Sequence, residues 1–353
     1  MSLSERLRER ILREGAISFS EFMRAALYDP EEGYYARGPS IGEGGDFLTS
    51  PHVSPAFAAA LARVFAFDAG RLEGRVDFVE VGAGGGRFLH DFTAALREFD
   101  PVLYGRLRLT AVEMSASGRR AIGARGITPE PVILESAEEL PEGGIEGWVF
   151  SNELYDALPV LRVMGTPAGL QELRVGVSEE RFVWSAADAP PACRDHLESL
   201  GIRLEPGQKG EIAPEAAPLH GRLARALGRG WLMVFDYGHP ARTLYHPLAR
   251  REGTLAVHAR GRRGGDPLQA PGSQDLTAHV NWDSLLTAGE AAGLRTERLT
   301  RQGLFLTEAG IFDFAGSDAE KWRIFRLVDP NGMGEEISVL VQSRGMPTGS
   351  AVL

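Results

Sequence analysis

The sequence contains very little cysteine and lysine. Among its 353 residues, Cys193 is the only cysteine, and lysine occurs only at Lys209 and Lys321. A single cysteine excludes an internal disulfide and a cysteine-rich zinc site, so a reducing compartment, the cytoplasm, is the expected location. The histidines and acids show no spacing that predicts another kind of metal site.

Net positive charge and long apolar runs are also missing. The formal net charge is −10, which argues against binding to the phosphate backbone of a nucleic acid because that contact needs a basic face. No apolar run approaches the ~18 residues that a membrane helix needs. Residues 1–15 carry charges of both signs and lack an apolar signal region, so we expect neither secretion nor membrane insertion.

The chain instead shows a regular alternation of strand and helix patterns. Apolar strand patterns occupy residues 76–82, 106–115, 131–136 and 146–154, and helical patterns follow the first two. Such alternation predicts a parallel sheet with helices on both faces. The predicted fold class is therefore α/β, with a Rossmann-like core.

Other segments divide the chain around this core. Two capping-box patterns predict N-terminal helices that start after Ser2 and Ser18, and a long loop follows at residues 31–55. Short alternating segments after Leu161 predict an inserted α+β subdomain, whose strand edge suits a homodimer. The expected segments are N-terminal helices with a covering loop (1–75), the first half of the core (76–161), the insertion (162–218) and the second half of the core (219–353).

A glycine-rich turn follows the first predicted strand. It reads VEVGAGGG, with Glu80 before Gly82, Gly84 and Gly86. Glycine lets a ligand approach the backbone, and the N–H groups of the next helix point into the turn. A P-loop for ATP needs a lysine that is absent, and the dinucleotide fingerprint needs a third glycine where Arg87 stands. S-adenosylmethionine (SAM) remains, because its sites characteristically place an acid before such a turn, where Glu80 can accept from the ligand's ammonium group.

Residues after the neighbouring strands extend this predicted cofactor site. Glu113, at the end of the second strand, is placed to accept hydrogen bonds from two ribose hydroxyls. Ser136 and Ala137, after the third strand, can flank the adenine. Asp46 and Thr49, in the long loop, can close over a cofactor or simply form turns. Because an acid such as Glu113 also suits NAD, an NAD-dependent oxidoreductase stays an alternative.

Polar residues also follow the fourth predicted strand. The segment SNELYDALPV places Asn152, Glu153 and Asp156 at the carboxyl edge of the sheet, where ligands of open α/β sheets bind. Carboxylates there can orient a cationic acceptor such as a guanidinium, whose planar fork pairs with them bidentately. We therefore assign these three residues to catalysis, with helix capping as the alternative for Asn152 or Asp156.

Two later segments carry further polar candidates. SQDLTAHV contains His279, a catalytic candidate although a lone histidine is more often structural. In the same segment, Asp275 or Thr277 can instead cap the following helix. FDYGHP ends a strand with Asp236, which suits a site and a structural turn equally.

These motifs together resemble the MidA family of SAM-dependent methyltransferases. The resemblance runs, in this order, through GYYARGPSIGEGGDFLTSP, VEVGAGGG, SNELYDALPV, PGQKGEIAP, MVFDYG, PGSQDLTAHV and DPNGMGEEISVL. It covers almost the whole chain and is more specific than the glycine turn alone. It implies a methyltransferase core, SAM as cofactor and an arginine in a protein as acceptor. Mitochondrial members of the family assist complex I assembly and symmetrically dimethylate an arginine of a complex I subunit.

The family's motifs map onto this chain with a few departures. The family usually has glutamate at the position of His52 and proline at the position of Ala83. The change at His52 affects the prediction of the methyl acceptor more than the prediction of the cofactor. A non-catalytic scaffold that binds SAM is the alternative to an enzyme. The corresponding segments are the cofactor turn at Glu80, Gly82, Gly84 and Gly86, the second-strand acid at Glu113, the Gly-Asp-Phe loop at Gly45, Asp46 and Phe47, and the acidic segment from Asn152 to Pro159.

Overall fold

Helices form the N-terminal part of the chain in the computed structural model, which describes residues 1–38, 48–259 and 262–347. Ser2 and Ser18 cap the first two helices as predicted: each hydroxyl accepts from the backbone N–H of a glutamate three residues on, whose carboxylate accepts from the serine N–H in return. The helices are α1 (Leu3–Glu14), α2 (Phe19–Tyr28), α3 (Ser50–Val53) and α4 (Pro55–Ala69).

The first half of the core alternates strands and helices as predicted. The amphipathic pattern places α5 correctly, because its buried face carries Phe88, Phe92 and Leu96. A short 3-10 helix, Ala137–Glu139, follows the third strand. The elements are β1 (Val76–Val81), α5 (Arg87–Phe99), α6 (Pro101–Tyr104), β2 (Leu107–Val112), α7 (Ala116–Ala124), β3 (Val132–Leu134) and β4 (Ile145–Asn152).

The insertion forms its own small sheet. Its strands are antiparallel throughout, in the order β7-β6-β5-β8, so β7 is an outer strand. The elements are β5 (Leu161–Thr166), β6 (Gly169–Ser178), β7 (Arg181–Asp188), α8 (Pro191–Ser199) and β8 (Lys209–Ile212).

The second half of the core returns to the main sheet. A further 3-10 helix, Ile311–Phe314, lies between α12 and α13. The elements are α9 (Ala216–Ala226), β9 (Leu227–His239), α10 (Ala241–Leu244), β10 (Ala256–Ala259), β11 (Arg262–Arg263), β12 (Asp275–Thr277), β13 (Val280–Asn281), α11 (Trp282–Ala291), β14 (Arg295–Arg301), α12 (Gln302–Glu308), α13 (Asp318–Val328), α14 (Met333–Glu336) and β15 (Ile337–Arg344).

Local contacts set the start of β9 and the cap of α11. β9 begins at Leu227, and Gly230 lets it pair closely with β4: a Cβ there would lie 1.9 Å from the Gly147 carbonyl oxygen. Neither Asp275 nor Thr277 caps a helix, since both lie in β12, and Asn281 caps α11 instead.

The main sheet sets the position of the site. Its order is β14-β15-β9-β4-β1-β2-β3, and β13 also pairs with β9. The strands from β9 to β3 are parallel, whereas β15 is antiparallel to β9 and β14. Chain order reverses between β1 and β4, because β2 lies on one side of β1 and β4 on the other. The crevice at this switch point is where open α/β sheets bind ligands.

Both faces of the sheet are buried, as predicted. On one face, Phe78 of β1 packs on Phe92 of α5, with 4.2 Å between ring centroids. On the other face, Val79 and Val81 pack in a cluster with Leu223 of α9. Successive side chains of β1 therefore point to opposite faces of the sheet and pack into two different cores. Among the described residues, no helix has the length and apolar character required to cross a membrane.

Candidate active site

A cavity of about 1870 Å³ opens at the carboxyl ends of β1, β2 and β4. It lies at the switch point of the sheet, where the sequence predicts the site. Most of the predicted site residues line it: Thr49, Glu80, Gly82, Gly84, Glu113, Ser136, Ala137, Asn152, Glu153, Asp156 and His279. Their assigned roles stay predictions, but the fold does bring them to one cavity.

Among the described residues, Gly86 was assigned to the cofactor but does not line this cavity. Gly86 caps α5 from behind the turn, where an added Cβ would lie 3.0 Å from Ile127 and 3.1 Å from Ile122. Its requirement for glycine therefore comes from packing and from its left-handed φ of 72°. Asp46 lies outside the described residues.

The glycine turn leaves open space where a ligand can approach the backbone. Gly82 and Gly84 both have left-handed backbones, with φ of 78° and 53°. A Cβ on Gly82 would meet Leu154 at 2.9 Å, whereas a Cβ on Gly84 would have no neighbour within 4 Å. Because Gly84 lines the cavity, a side chain there would project into space that a bound molecule can use.

Glu113 joins the end of β2 to this turn. One carboxylate oxygen accepts the Gly84 N–H at 2.8 Å, and the other accepts the Ser115 N–H at 2.8 Å and its hydroxyl at 2.6 Å. A carboxylate has about four acceptor positions. Glu113 therefore keeps capacity for a further donor such as a ribose hydroxyl.

Glu80 is a buried acid beside the turn. It is 4% exposed, and its Oε2 has no hydrogen-bond partner among the described residues. Burial, together with the charge of Glu113, holds the pKa of Glu80 well above its usual range. An ammonium group beside it would favour the ionised form and pair with the unpartnered oxygen. The buried acid Glu80 thus fits the ammonium group of SAM, and Glu113 fits its ribose. Gly84 leaves space for the ligand to lie close to the backbone between them.

The acids after β4 are held in a strained turn. Glu153 has a left-handed φ of 50°, which is unfavourable for a residue with a Cβ and is often found at functional sites. Its N–H donates to the Phe235 carbonyl oxygen at 2.8 Å. Its Oε1 accepts from the Asn152 side-chain amide at 2.9 Å and from the Ser50 N–H at 3.1 Å. Asn152 therefore orients Glu153 and caps no helix.

Asp236 is the residue that closes this turn. It is fully buried at the end of β9. One of its carboxylate oxygens accepts the N–H groups of Leu154 and Tyr155 at 3.1 and 2.8 Å, and the other accepts the Tyr237 N–H at 2.8 Å. The structural alternative for Asp236 is thus correct, although the turn that it closes carries the acids of the cavity.

Crowding of these acids shifts their protonation. Burial raises the pKa of Glu153 to about 8, with smaller contributions from Asp236 and Asp275. Burial and the same two neighbours hold the pKa of Asp156 well above its usual range. Burial likewise raises the pKa of Asp236 to about 7, against the hydrogen bonds from the turn. A cation entering this cluster would favour the ionised carboxylates and lower these pKa values.

Tyrosines complete the walls, and the sequence-based assignment missed them. Tyr28, Tyr35 and Tyr237 all line the cavity. Tyr28 and Tyr35 are stacked, with 5.4 Å between ring centroids. The available signal was the GYYAR segment, since a loop with aromatic residues is more often ordered than disordered.

His279 lies next to a second histidine. The rings of His279 and His239 are 5.2 Å apart, and the Nδ1 atom of each is buried without a partner among the described residues. Burial, His239 and nearby arginines lower the pKa of His279 to about 3, so it is neutral at physiological pH. It can therefore exchange hydrogen bonds in the cavity but does not act as a cationic acid. The described part of the chain holds no cluster of three or more His, Cys, Asp or Glu suited to a metal ion.

Curated relatives match along most of the chain. Over 373 residues, 29% are identical to mitochondrial protein arginine methyltransferase NDUFAF7 of Mus musculus, covering 92% of this chain and 80% of the relative. The Homo sapiens protein of the same name is 27% identical, covering 93% of this chain and 80% of the relative. The expected cytoplasmic location is therefore contradicted, because these relatives are named as mitochondrial proteins.

A solved structure matches the entire fold. It is the crystal structure of a Burkholderia thailandensis protein bound to S-adenosylhomocysteine, with a TM-score of 0.87 and 33% identity. The match covers 98% of this chain and 92% of that protein. It confirms the predicted α/β class with a mostly parallel sheet.

The family comparison decides among the functional alternatives. Residues 59–300, which include the glycine turn, the acids after β4 and His279, match the model of S-adenosyl-L-methionine-dependent methyltransferases. This match favours SAM over NAD as the cofactor and an enzyme over a non-catalytic scaffold. The chain belongs to the family of S-adenosyl-L-methionine-dependent methyltransferases.

Proposed function

We propose that this methyltransferase modifies the guanidinium group of an arginine side chain in a protein. The observation that carries the proposal is the cluster of Glu153, Asp156 and Asp275, which line the same cavity as the glycine turn. The curated relatives named as protein arginine methyltransferases support the same acceptor.

The cluster suits a guanidinium for two reasons. Guanidinium is planar and presents five N–H donors in a fixed fork, which carboxylates can bind bidentately. Asn152 and the Ser50 N–H hold one oxygen of Glu153 and so orient its carboxylate before an acceptor arrives. Preorganised contacts of this kind reduce the cost of placing the reacting nitrogen.

Glu153 has a second task in the proposed reaction. Bound SAM supplies the methyl group, and the acceptor nitrogen loses a proton when it is methylated. Burial raises the pKa of Glu153 to about 8, and a guanidinium bound beside it would lower that pKa again, so that the ionised carboxylate can take the proton. Tyr28 and Tyr35 line the same cavity, and their hydroxyls donate to the Ala157 carbonyl oxygen and to Asp275.

A labelling experiment tests the proposal. The purified protein would be incubated with methyl-tritiated SAM and a cell lysate, and the labelled residue would be identified by mass spectrometry. We expect label on arginine, and a loss of about 100-fold or more in Glu153→Gln because orientation and proton acceptance are both removed. Glu98→Gln, at an exposed position of α5, is the matched control. Label on another residue type, or full activity of Glu153→Gln, would contradict the proposal.

A homodimer is a separate prediction about partners. The outer position of β7 in the insertion supports it, because an unpaired strand edge can pair with a second copy. It does not bear on the choice of acceptor.

A further inference from the structure

We propose that Asp275 is a third acceptor-binding carboxylate and that the hydroxyl of Tyr35 positions it. This inference deepens the proposed function and rests on it. It adds a specificity-determining acid from a different part of the fold than Glu153 and Asp156, and it gives the GYYAR segment a task.

Asp275 approaches the cavity from β12, whereas Glu153 and Asp156 follow β4. It is 3% exposed and lines the same cavity as the other two acids. Its charge contributes to the raised pKa of both Glu153 and Asp156, so the three carboxyl groups lie within electrostatic reach of one another. A cation bound by the first two acids would therefore also be attracted by the third.

Tyr35 holds Asp275 by a direct hydrogen bond. Its hydroxyl donates to Asp275 Oδ1 at 3.0 Å. Because this donor occupies a defined direction, it restricts rotation of the carboxyl group and sets which edge faces the cavity.

Tyr35 is itself fixed from both ends of the cavity. Its carbonyl oxygen accepts the Ser117 hydroxyl at 3.0 Å, from α7 beside the cofactor turn. Its ring stacks on Tyr28, whose hydroxyl donates to the Ala157 carbonyl oxygen at 2.9 Å, one residue after Asp156. The tyrosine pair thus connects the cofactor portion with the acceptor acids, and Asp275 is positioned relative to both.

Three carboxylates from two parts of the fold favour a guanidinium over an ammonium. Guanidinium offers five N–H donors spread over a plane, whereas the lysine ammonium offers three on one atom. Removal of Asp275 or loosening of its orientation should therefore weaken acceptor binding and leave SAM binding intact, since Gly84 and Glu113 are untouched.

Kinetics with four variants tests the proposal. The acceptor is the peptide that spans the arginine labelled in the lysate experiment. We expect KM for this peptide to rise roughly 10-fold in Tyr35→Phe and at least as much in Asp275→Asn, the size expected for a hydrogen bond to a charged group. Affinity for SAM should stay unchanged in both. Tyr104→Phe removes a hydroxyl from a partly buried tyrosine outside the cavity and should match the unmodified protein.

A double variant separates positioning from a general structural effect. If Tyr35 acts through Asp275, Tyr35→Phe/Asp275→Asn should bind the peptide no more weakly than Asp275→Asn alone, because the hydroxyl then has no carboxylate to orient. Additive losses, an unchanged KM in Tyr35→Phe, or an equal loss of SAM affinity would overturn the proposal. Should Asp275→Asn fail to fold, Tyr35→Phe still decides it, since the ring and its stacking are kept. Absence of arginine labelling by the unmodified protein is a different result, and it would remove the proposed function together with this inference.

Discussion

At the scale of single residues, the acids of this cavity differ from exposed carboxyl groups chiefly in their raised pKa values. Glu153 combines a left-handed backbone, a raised pKa and two hydrogen bonds on one oxygen. The strained backbone and the buried carboxyl group cost free energy, and the two hydrogen bonds offset part of that cost. The position of Glu153 after a strand was predictable from the sequence. Its raised pKa was not, because it depends on burial by the folded chain and, to a smaller extent, on Asp236 and Asp275, which lie far away in the chain.

The raised pKa predicts a pH-dependent stability difference. Glu153 has a pKa of about 8 in the folded chain against a usual value of 4.5, so the unfolded state ionises first as pH rises. The folded state then binds more protons than the unfolded state, and its stability falls between about pH 4.5 and 8. We therefore expect the free energy of unfolding of Glu153→Gln, relative to the unmodified protein, to increase with pH across this window.

Urea unfolding at pH 5 and pH 8 measures this difference. Comparison of the two proteins at each pH cancels the opposite contribution of the buried histidines. Glu98→Gln, at an exposed position of α5, is the control substitution. A difference for Glu153→Gln that stays constant with pH would refute the expected linkage.

At the scale of secondary-structure elements, the connection between β1 and α5 is the predicted cofactor site. The sequence predicted this unit correctly because strand, glycine turn and amphipathic helix are all local patterns. It did not distinguish the tasks of the individual glycines. Gly84 faces the cavity, whereas Gly86 packs behind the turn against Ile122 and Ile127, and that difference arises from the packing of α7.

Substitution of Gly84 tests the task of the turn. Gly84→Ala should lower SAM affinity at least ~10-fold, because the methyl group enters the ligand space and left-handed backbone costs about 1–2 kcal/mol in a residue with a Cβ. Gly143→Ala is the matched control: its φ is 62°, nothing lies within 4 Å of an added Cβ, and it lies outside the cavity. Calorimetric titration with SAM should show weaker binding only for the first variant. Equal losses in both would mean that backbone strain alone is responsible.

At the scale of the whole molecule, the two sets of site residues are assembled differently. Apart from Asp46 and Thr49, the residues assigned to the cofactor come from consecutive βα units, so local patterns were enough to propose them. The residues proposed for the acceptor come from the N-terminal segment, β4, β9 and β12. Tyr28 and Tyr35 were missed because no local pattern relates them to Asp275. The proposed four-segment division of the chain stays a prediction.

Global stability provides a test of the cofactor. S-adenosylhomocysteine at about 100 times its dissociation constant should stabilise the fold by ~2.7 kcal/mol, raising the melting temperature by roughly 3–5 °C. NAD at the same concentration should give no shift, because the turn has Arg87 where the dinucleotide fingerprint needs glycine. Differential scanning calorimetry measures both. A shift with NAD and none with S-adenosylhomocysteine would contradict the cofactor assignment.

The hydrogen bond between Tyr35 and Asp275 joins residues that are 240 positions apart in the chain. Translation proceeds from the N-terminus, so the tyrosine leaves the ribosome long before the carboxyl group that it holds. The residues assigned to the cofactor, up to Ala137, are also synthesised before Asp275. The acceptor portion is therefore the last part of the site to be completed, and a nascent or truncated chain cannot present the full set of acids to a guanidinium.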